Sequence, residues 1–235
     1  MKIPTLLPAL ILYALSTSAP AEDEEEWKSP PKQAAFLFEW IELEHRQANQ
    51  LVRRYAGNLS AAKLRAELGR RIEANSAKLL HSAYLISKFG QRAKSEAVDE
   101  IIYPTEYDPP EIPSQIENGT RAETLKVIPA NATAFDVRNA GTTVELEPLL
   151  STDQKFISLR LASEIVRHLG DRSAGGDPKI APESIAVIKQ PAFYTMSTDT
   201  QLTIKVGDFA LAAMFTPPGK TGKRILLLIR ATTPS

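Results

Sequence analysis

Three histidines, His45, His81 and His168, are the residues most suited to metal or proton chemistry. They are far apart in sequence and none belongs to an H-E-x-x-H or similar ligand set, so they are expected to be unrelated. Glu42 and Glu44 share a face if their segment is a strand; that makes a surface charge pair, not an acid–base dyad. Gly219-Lys220-Thr221 matches the end of a phosphate-cradling loop. That loop needs glycine at the position of Met214 and a helix after it, whereas here a strand follows, so a hairpin turn is expected. There is no cysteine, which excludes disulfides, thiolate metal sites and a thiol nucleophile. No G-x-S-x-G elbow occurs, and a Ser/His/Asp set assembled only in space stays open. Tyr103 and Tyr107 sit in the run Tyr103-Pro104-Thr105-Glu106-Tyr107-Asp108-Pro109-Pro110 and have two readings. They form a partner-binding surface, or they pack a proline-rich bend against a sheet. Asn58-Leu59-Ser60, Asn118-Gly119-Thr120 and Asn131-Ala132-Thr133 match the glycosylation pattern, which matters only in a eukaryotic secretory route.

The elements that would position these residues are mostly strands. Phe36, Phe38 and Trp40 recur at period two within Phe36–Leu43, which predicts a strand. Two helices are expected next, over Arg46–Tyr55 and over Ser60–Asn75. Gly57-Asn58 caps the first, Ser60 is the N-cap of the second, and Leu64, Leu68 and Ile72 form its apolar stripe. Strands are expected over Leu79–Ser87 and Ala93–Tyr103, separated by a turn at Phe89-Gly90-Gln91. Pro104 to Pro113 should then break regular structure, and Asn118-Gly119 should turn the chain. Short strands follow at Thr124–Ile128, Ala134–Arg138 and Thr142–Leu150. Phe156–Leu161 alternates cleanly, with Ile157, Leu159 and Leu161 on one face. Gly170–Pro182 reads as a loop, and strands resume near Ile185 and over Phe193–Ile204, Phe209–Phe215 and Arg224–Arg230. Gly207-Asp208 and Gly219 to Gly222 sit where hairpin turns belong. The expected class is α+β: an antiparallel β-rich body with a two-helix insert near the N-terminus.

The 235 residues begin with Lys2, an apolar run from Ile3 to Leu15 of about 13 residues, and Ala19-Pro20-Ala21, the pattern of a removable secretory signal peptide. A spanning helix needs roughly 20 apolar residues, and Pro4 and Pro8 oppose a long straight one. The expected organisation is a signal peptide over 1–21, an acidic and proline-containing linker over 22–34 that includes Glu22 to Glu26, and one domain over 35–235. Within that domain, 35–76 holds a strand plus the helices and 77–235 the β-rich body. Lys and Arg number 28, and so do Asp and Glu, so no global charge favours nucleic acid or an anionic surface. No later segment is apolar enough for a membrane helix, which does not bear on membrane strands of about ten alternating residues.

The order of the β elements resembles the secretin family, the ring-forming outer-membrane proteins of type II and type III secretion and of type IV pili. Gly141-Thr142-Thr143-Val144-Glu145-Leu146-Glu147-Pro148 is similar to the family's "GttLevtP" strand, and Phe156–Leu161 stands where its "ItLdl" strand follows. Pro191, Phe193 and Thr200 to Gly207 are similar to "P-x-F-x-t…T-x-v-x-v-x-d-G". Gly90 and Gln91 are similar to the "nGqrA" turn, and Arg224–Thr232 to the closing strand. The sequence departs from the family at Ala212-Ala213, where paired glycines are usual, and the family's repeated preceding domains are not expected ahead of the domain over 35–235. The segment between Gln91 and Gly141, where membrane strands would lie, is short and contains Pro104, Pro109, Pro110, Pro113 and Pro129. Long lipid-facing hairpins are therefore not expected there.

The resemblance implies a non-enzymatic protein of the periplasm or outer membrane of a Gram-negative-type bacterium, without cofactor or bound metal. Its role would be structural or assembly-related, in secretion or a pilus-like system. The implied partners are copies of itself or secretion components, joined by strand pairing. Gly90, Gln91, Gly141, Thr142, Thr143, Glu145, Pro148, Pro191, Phe193 and Gly207 are the family-motif and assembly candidates, with Tyr103 and Tyr107 as partner-surface candidates. The alternatives are a monomeric periplasmic or cell-surface binding module and, after it, a secreted enzyme.

Overall fold

The protein is described from a computed structural model, within the unit Lys32–Ser235, for residues 32–55, 60–109, 130–174, 188–219 and 222–233. The expected signal peptide, the acidic run, the turns at Gly57-Asn58 and Asn118-Gly119, and the strands at Thr124–Ile128 and Ile185 lie outside the described residues. The elements run β1 (Gln33–Glu44), α1 (His45–Tyr55), α2 (Ala62–Glu73), β2 (Ala77–Lys88), β3 (Ala93–Asp108), β4 (Asn131–Leu150), β5 (Phe156–Ala174), β6 (Ile188–Lys205), β7 (Phe209–Phe215) and β8 (Lys223–Thr232). All strand pairs are antiparallel. One sheet has the order β2-β1-β8-β7 and the other β3-β4-β5-β6, so the fold is α+β and antiparallel β-rich.

The period-two pattern of β1 does two jobs. Ala34, Phe36, Phe38 and Trp40 face the second sheet, where they bury against Val144, Leu146, Ile157, Leu159, Leu161 and Ile165. Ile41 and Leu43 face the helices and pack with Ala48, Leu51, Leu64 and Leu68. The two helices thus form a third layer on the first sheet. The run Ile225-Leu226-Leu227-Leu228-Ile229 of β8 is fully buried because it faces both layers, which is why it is apolar at every position. Glu39, on the helix-facing side of β1, is 5% exposed and receives two hydrogen bonds from the Arg65 guanidinium of α2, at 2.5 and 2.8 Å. The Glu39 carboxylate, through this hydrogen bond first, raises the Arg65 pKa. Helix α2 starts after Ala61, not Ser60. The Ser60 hydroxyl instead accepts from the Ala62 amide and donates to Asp208.

Four expectations are corrected. Ala134–Arg138 and Thr142–Leu150 are one strand, because Gly141 carries the chain through at a φ of +151° where a side chain would not fit. The break expected from Pro104 does not occur: β3 continues to Asp108 with register shifts on either side of Glu106. Proline is tolerated there, and at Pro191 in β6, because both strands lie at the edges of their sheet. The loop expected from Gly170 begins later, since β5 continues to Ala174 through an irregularity between His168 and Asp171. The shortage of room for long hairpins is likewise removed, because β3 to β6 are 16, 20, 19 and 18 residues long. A membrane strand needs about 9–11.

Candidate assembly surface

The four long strands form two hairpins, and their pairing sets the geometry. β3 and β4 pair from Ala93–Leu146 outward to Asp108–Asn131, and β5 and β6 pair from Phe156–Lys205 to Ala174–Ile188. β4 and β5 pair only from Leu150–Ile157 to Gly141–Val166. Beyond Gly141 the sheet forks into two outer hairpins. A Cβ on Gly141 would lie 2.1 Å from the Ala97 carbonyl oxygen and 2.7 Å from the Val98 Cα, so β3 approaches β4 at a spot only glycine fits.

Above the fork the opposite edges of the sheet come together. Across a flat sheet β3 and β6 would be three strand spacings apart, about 14 Å. Here the Tyr103 and Phe193 rings are 6.0 Å apart, and the Gln190 side-chain amide donates to the Pro104 carbonyl at 2.9 Å. Tyr107 donates to the Lys189 carbonyl at 3.4 Å, and Arg138 reaches Thr195 at 3.1 Å and Glu164 at 3.8 Å. The sheet therefore curls. Between its hairpins lies a hollow of about 650 Å³ lined by Val98, Arg138, Gly141, Thr143, Glu164 and Ser197, among others. Below the fork, the outer sides of β3 and β6 have no strand beside them among the described residues.

The other face of the outer β3–β4 hairpin is apolar and exposed. Ile102 and Val137 are cross-strand partners, and Phe135 is the partner of Pro104. Ile102 is 67% exposed and Phe135 61%, with Val137 about half exposed. Sequence reading misses this stripe because it expects the strands Ala93–Tyr103 and Ala134–Arg138 to be separate, with the chain broken between them. The signal available was the period-two pair Phe135 and Val137.

The motif residues divide between corners and surface. Gly90 (φ +76°) turns β2 into β3, and its amide donates to the Pro148 carbonyl at 2.7 Å, joining two motifs distant in sequence. Gln91 closes the same turn, its amide donating to the Lys88 carbonyl at 3.3 Å and its own carbonyl accepting from Ser87. Gly207 (φ +86°) turns β6 toward β7 and donates to the Ala231 carbonyl at 2.7 Å. Thr142 points into the core, with its hydroxyl buried and unpartnered among the described residues. Thr143 and Glu145 face the other way, beside Glu96 and Arg92. Pro191 pairs with Asp171, and Phe193 packs on both His168, at 5.3 Å, and Tyr103. Tyr103 and Tyr107 are half-buried on β3. The histidines are scattered: His45 lies near Asn49, His81 near Arg167 and His168 near Asp171. Burial and then the Arg167 charge push the His81 pKa down.

The chain is similar to the secretins. The InvG secretin domain β-barrel from the Salmonella SPI-1 injectisome is 10% identical and matches over 87% of this chain and 64% of that one, with a TM-score of 0.40. The V. cholerae type IV competence pilus secretin PilQ is 10% identical, with 88% and 62% covered and a TM-score of 0.41. The type II secretion system secretin GspD of E. coli K12 is 10% identical, with 87% and 50% covered and a TM-score of 0.41. This chain spans less than two thirds of the length of each. No family model and no curated protein matches the sequence.

Proposed function

We propose that this chain is a non-enzymatic structural subunit of a bacterial envelope assembly for protein secretion or pilus passage, built from several copies of itself. The observation that carries this reading is the pair of long edges, β3 and β6, of a four-strand up-and-down sheet. With an even number of strands, the two edges run in opposite directions. Pairing β6 of one copy with β3 of the next therefore continues the antiparallel order without interruption. Such a head-to-tail contact generates a ring when the rotation closes. The edges available for it are the portions below the fork, about Ala93–Val98 and Thr195–Lys205, since the portions above it already meet within the chain. The serial order of the motifs from Gly90 to Gly207 supports the same reading, and the apolar stripe of Ile102, Phe135 and Val137 suits an outer-membrane contact.

The test is fractionation of the native host followed by size-exclusion chromatography with light scattering and analysis of heat-resistant oligomers. A large symmetric oligomer in the envelope fraction is expected. A monomer across a wide concentration range overturns the proposal. A monomeric binding module is then the surviving reading, and the hollow of about 650 Å³ inside the fork is where its ligand belongs.

A further inference from the structure

A second hollow, of about 760 Å³, lies among three turns that are distant in sequence. It is lined by Ser60 and Lys63 at the start of α2, Asp153, Lys155 and Phe156 at the β4–β5 turn, and Lys205 and Asp208 at the β6–β7 turn. Its two carboxylates are committed to holding the backbone. Asp208 accepts from the Ser60 hydroxyl and the Phe209 amide, both at 2.8 Å. Asp153 accepts from the Ser151 hydroxyl at 2.6 Å and the Lys155 amide at 3.1 Å, and the Ser151 bond foremost holds its pKa low. Among the described residues, Lys63, Lys155 and Lys205 have no ion-pair partner, although this near-neutral chain pairs other surface cations: Arg92 with Glu145, Lys94 with Glu96, Lys223 with Glu44. Arg230 of β8, outside this lining, reaches the same β6–β7 turn. It stacks over the Phe209 ring at 5.6 Å and donates to the Gly207 carbonyl.

We propose that this hollow is a docking site for an acidic peptide segment of a partner protein. Unpaired lysines drawn from three turns around a concave surface are complementary to a short run of carboxylate side chains, and the half-buried Phe156 ring offers the peptide an apolar floor. A flat anionic membrane fits less well, because it cannot follow the concavity. The site adjoins the end of β6, where Lys205 is the last residue, and peptide binding is read separately from oligomer size.

The test is fluorescence anisotropy of a labelled Glu-Asp-Glu-Glu-Glu peptide with the full chain. Binding is expected at about 0.1 M salt and should be lost toward about 1 M, as the screening length contracts from about 10 Å to about 3 Å. Lys63→Glu, Lys155→Glu and Lys205→Glu should each weaken it by about two- to fivefold or more. Lys189→Glu, on the far end of β6, should leave it unchanged. In the unmutated protein, bound peptide should protect Lys63, Lys155 and Lys205, and not Lys189, from chemical acetylation. Absence of binding at low salt, equal weakening by Lys189→Glu, or uniform acetylation with peptide present overturns the proposal. So does binding to vesicles of anionic phospholipid in the absence of peptide binding, which would assign the cations to a membrane instead.

Discussion

Gly141 shows how one residue sets the shape of the sheet. Its φ of +151° and the 2.1 Å approach of the Ala97 oxygen to a would-be Cβ are incompatible with any side chain. Gly141→Ala should lower stability by at least about 2 kcal/mol, read as a lower urea midpoint; an unchanged midpoint would mean that β3 is not held so close. His81 is the other residue with a distinct signature. It is half-buried against the edge of Trp40, with Arg167 at 3.3 Å, and its pKa lies below the usual 6.5, by burial first and by Arg167 second. A lowered histidine pKa means that the unfolded chain takes up the proton first. Stability should therefore be level above about pH 6.5 and fall as the pH drops from there toward the folded value. Urea midpoints against pH should show this limb, and His81→Phe should flatten it. Glu67, Glu96 and Asp153, lowered chiefly by hydrogen bonds from Arg70, Lys94 and Ser151, act further down, below their ordinary 4.5 and 3.8.

Helix α2 is fastened to the first sheet by both an apolar stripe and one buried ion pair. Leu64 and Leu68 sit at four-residue spacing over Ile41, Leu43 and Leu228. Arg65, on the adjoining face, meets Glu39 of β1. Arg65→Ala leaves a buried carboxylate without its cation and should cost about 2 kcal/mol or more, visible in thermal or urea unfolding. Adding Glu39→Leu should recover most of that loss, because an apolar residue there needs no partner. If the double variant is no more stable than the single, the loss came from packing by the Arg65 stem and not from the charge.

Among the described residues, three layers leave one long surface uncovered. Helices cover one side of the β2-β1-β8-β7 sheet, and the second sheet covers the other. The outer β3–β4 hairpin projects beyond this core and shows Ile102, Phe135 and Val137 to its surroundings. Because these side chains support no core, Ile102→Ser with Phe135→Ser should change folding stability by less than about 1 kcal/mol. The pair should nonetheless reduce recovery in the membrane fraction and of large oligomers. Loss of stability with assembly intact would show that the stripe packs internally.

The sequence by itself determined the elements whose pattern is local. The alternation of Phe36, Phe38 and Trp40, the stripe of Leu64 and Leu68, the clean faces of Phe156–Leu161 and the glycine corners at Gly90 and Gly207 each follow from a few neighbouring residues and stand in the fold. The antiparallel class and the order of the motifs were legible for the same reason. Strand length through Pro104, Gly141, Gly170 and Pro191 was not. Whether a proline or a glycine ends a strand depends on whether that strand is an edge and on what lies beside it, and both are properties of the assembled sheet. The fork, the meeting of Tyr103 with Phe193, and the convergence of Lys63, Lys155 and Lys205 join residues that are up to 142 positions apart in the chain. Only the tertiary structure decides such neighbours, because no periodicity in the sequence encodes a distance between two remote turns.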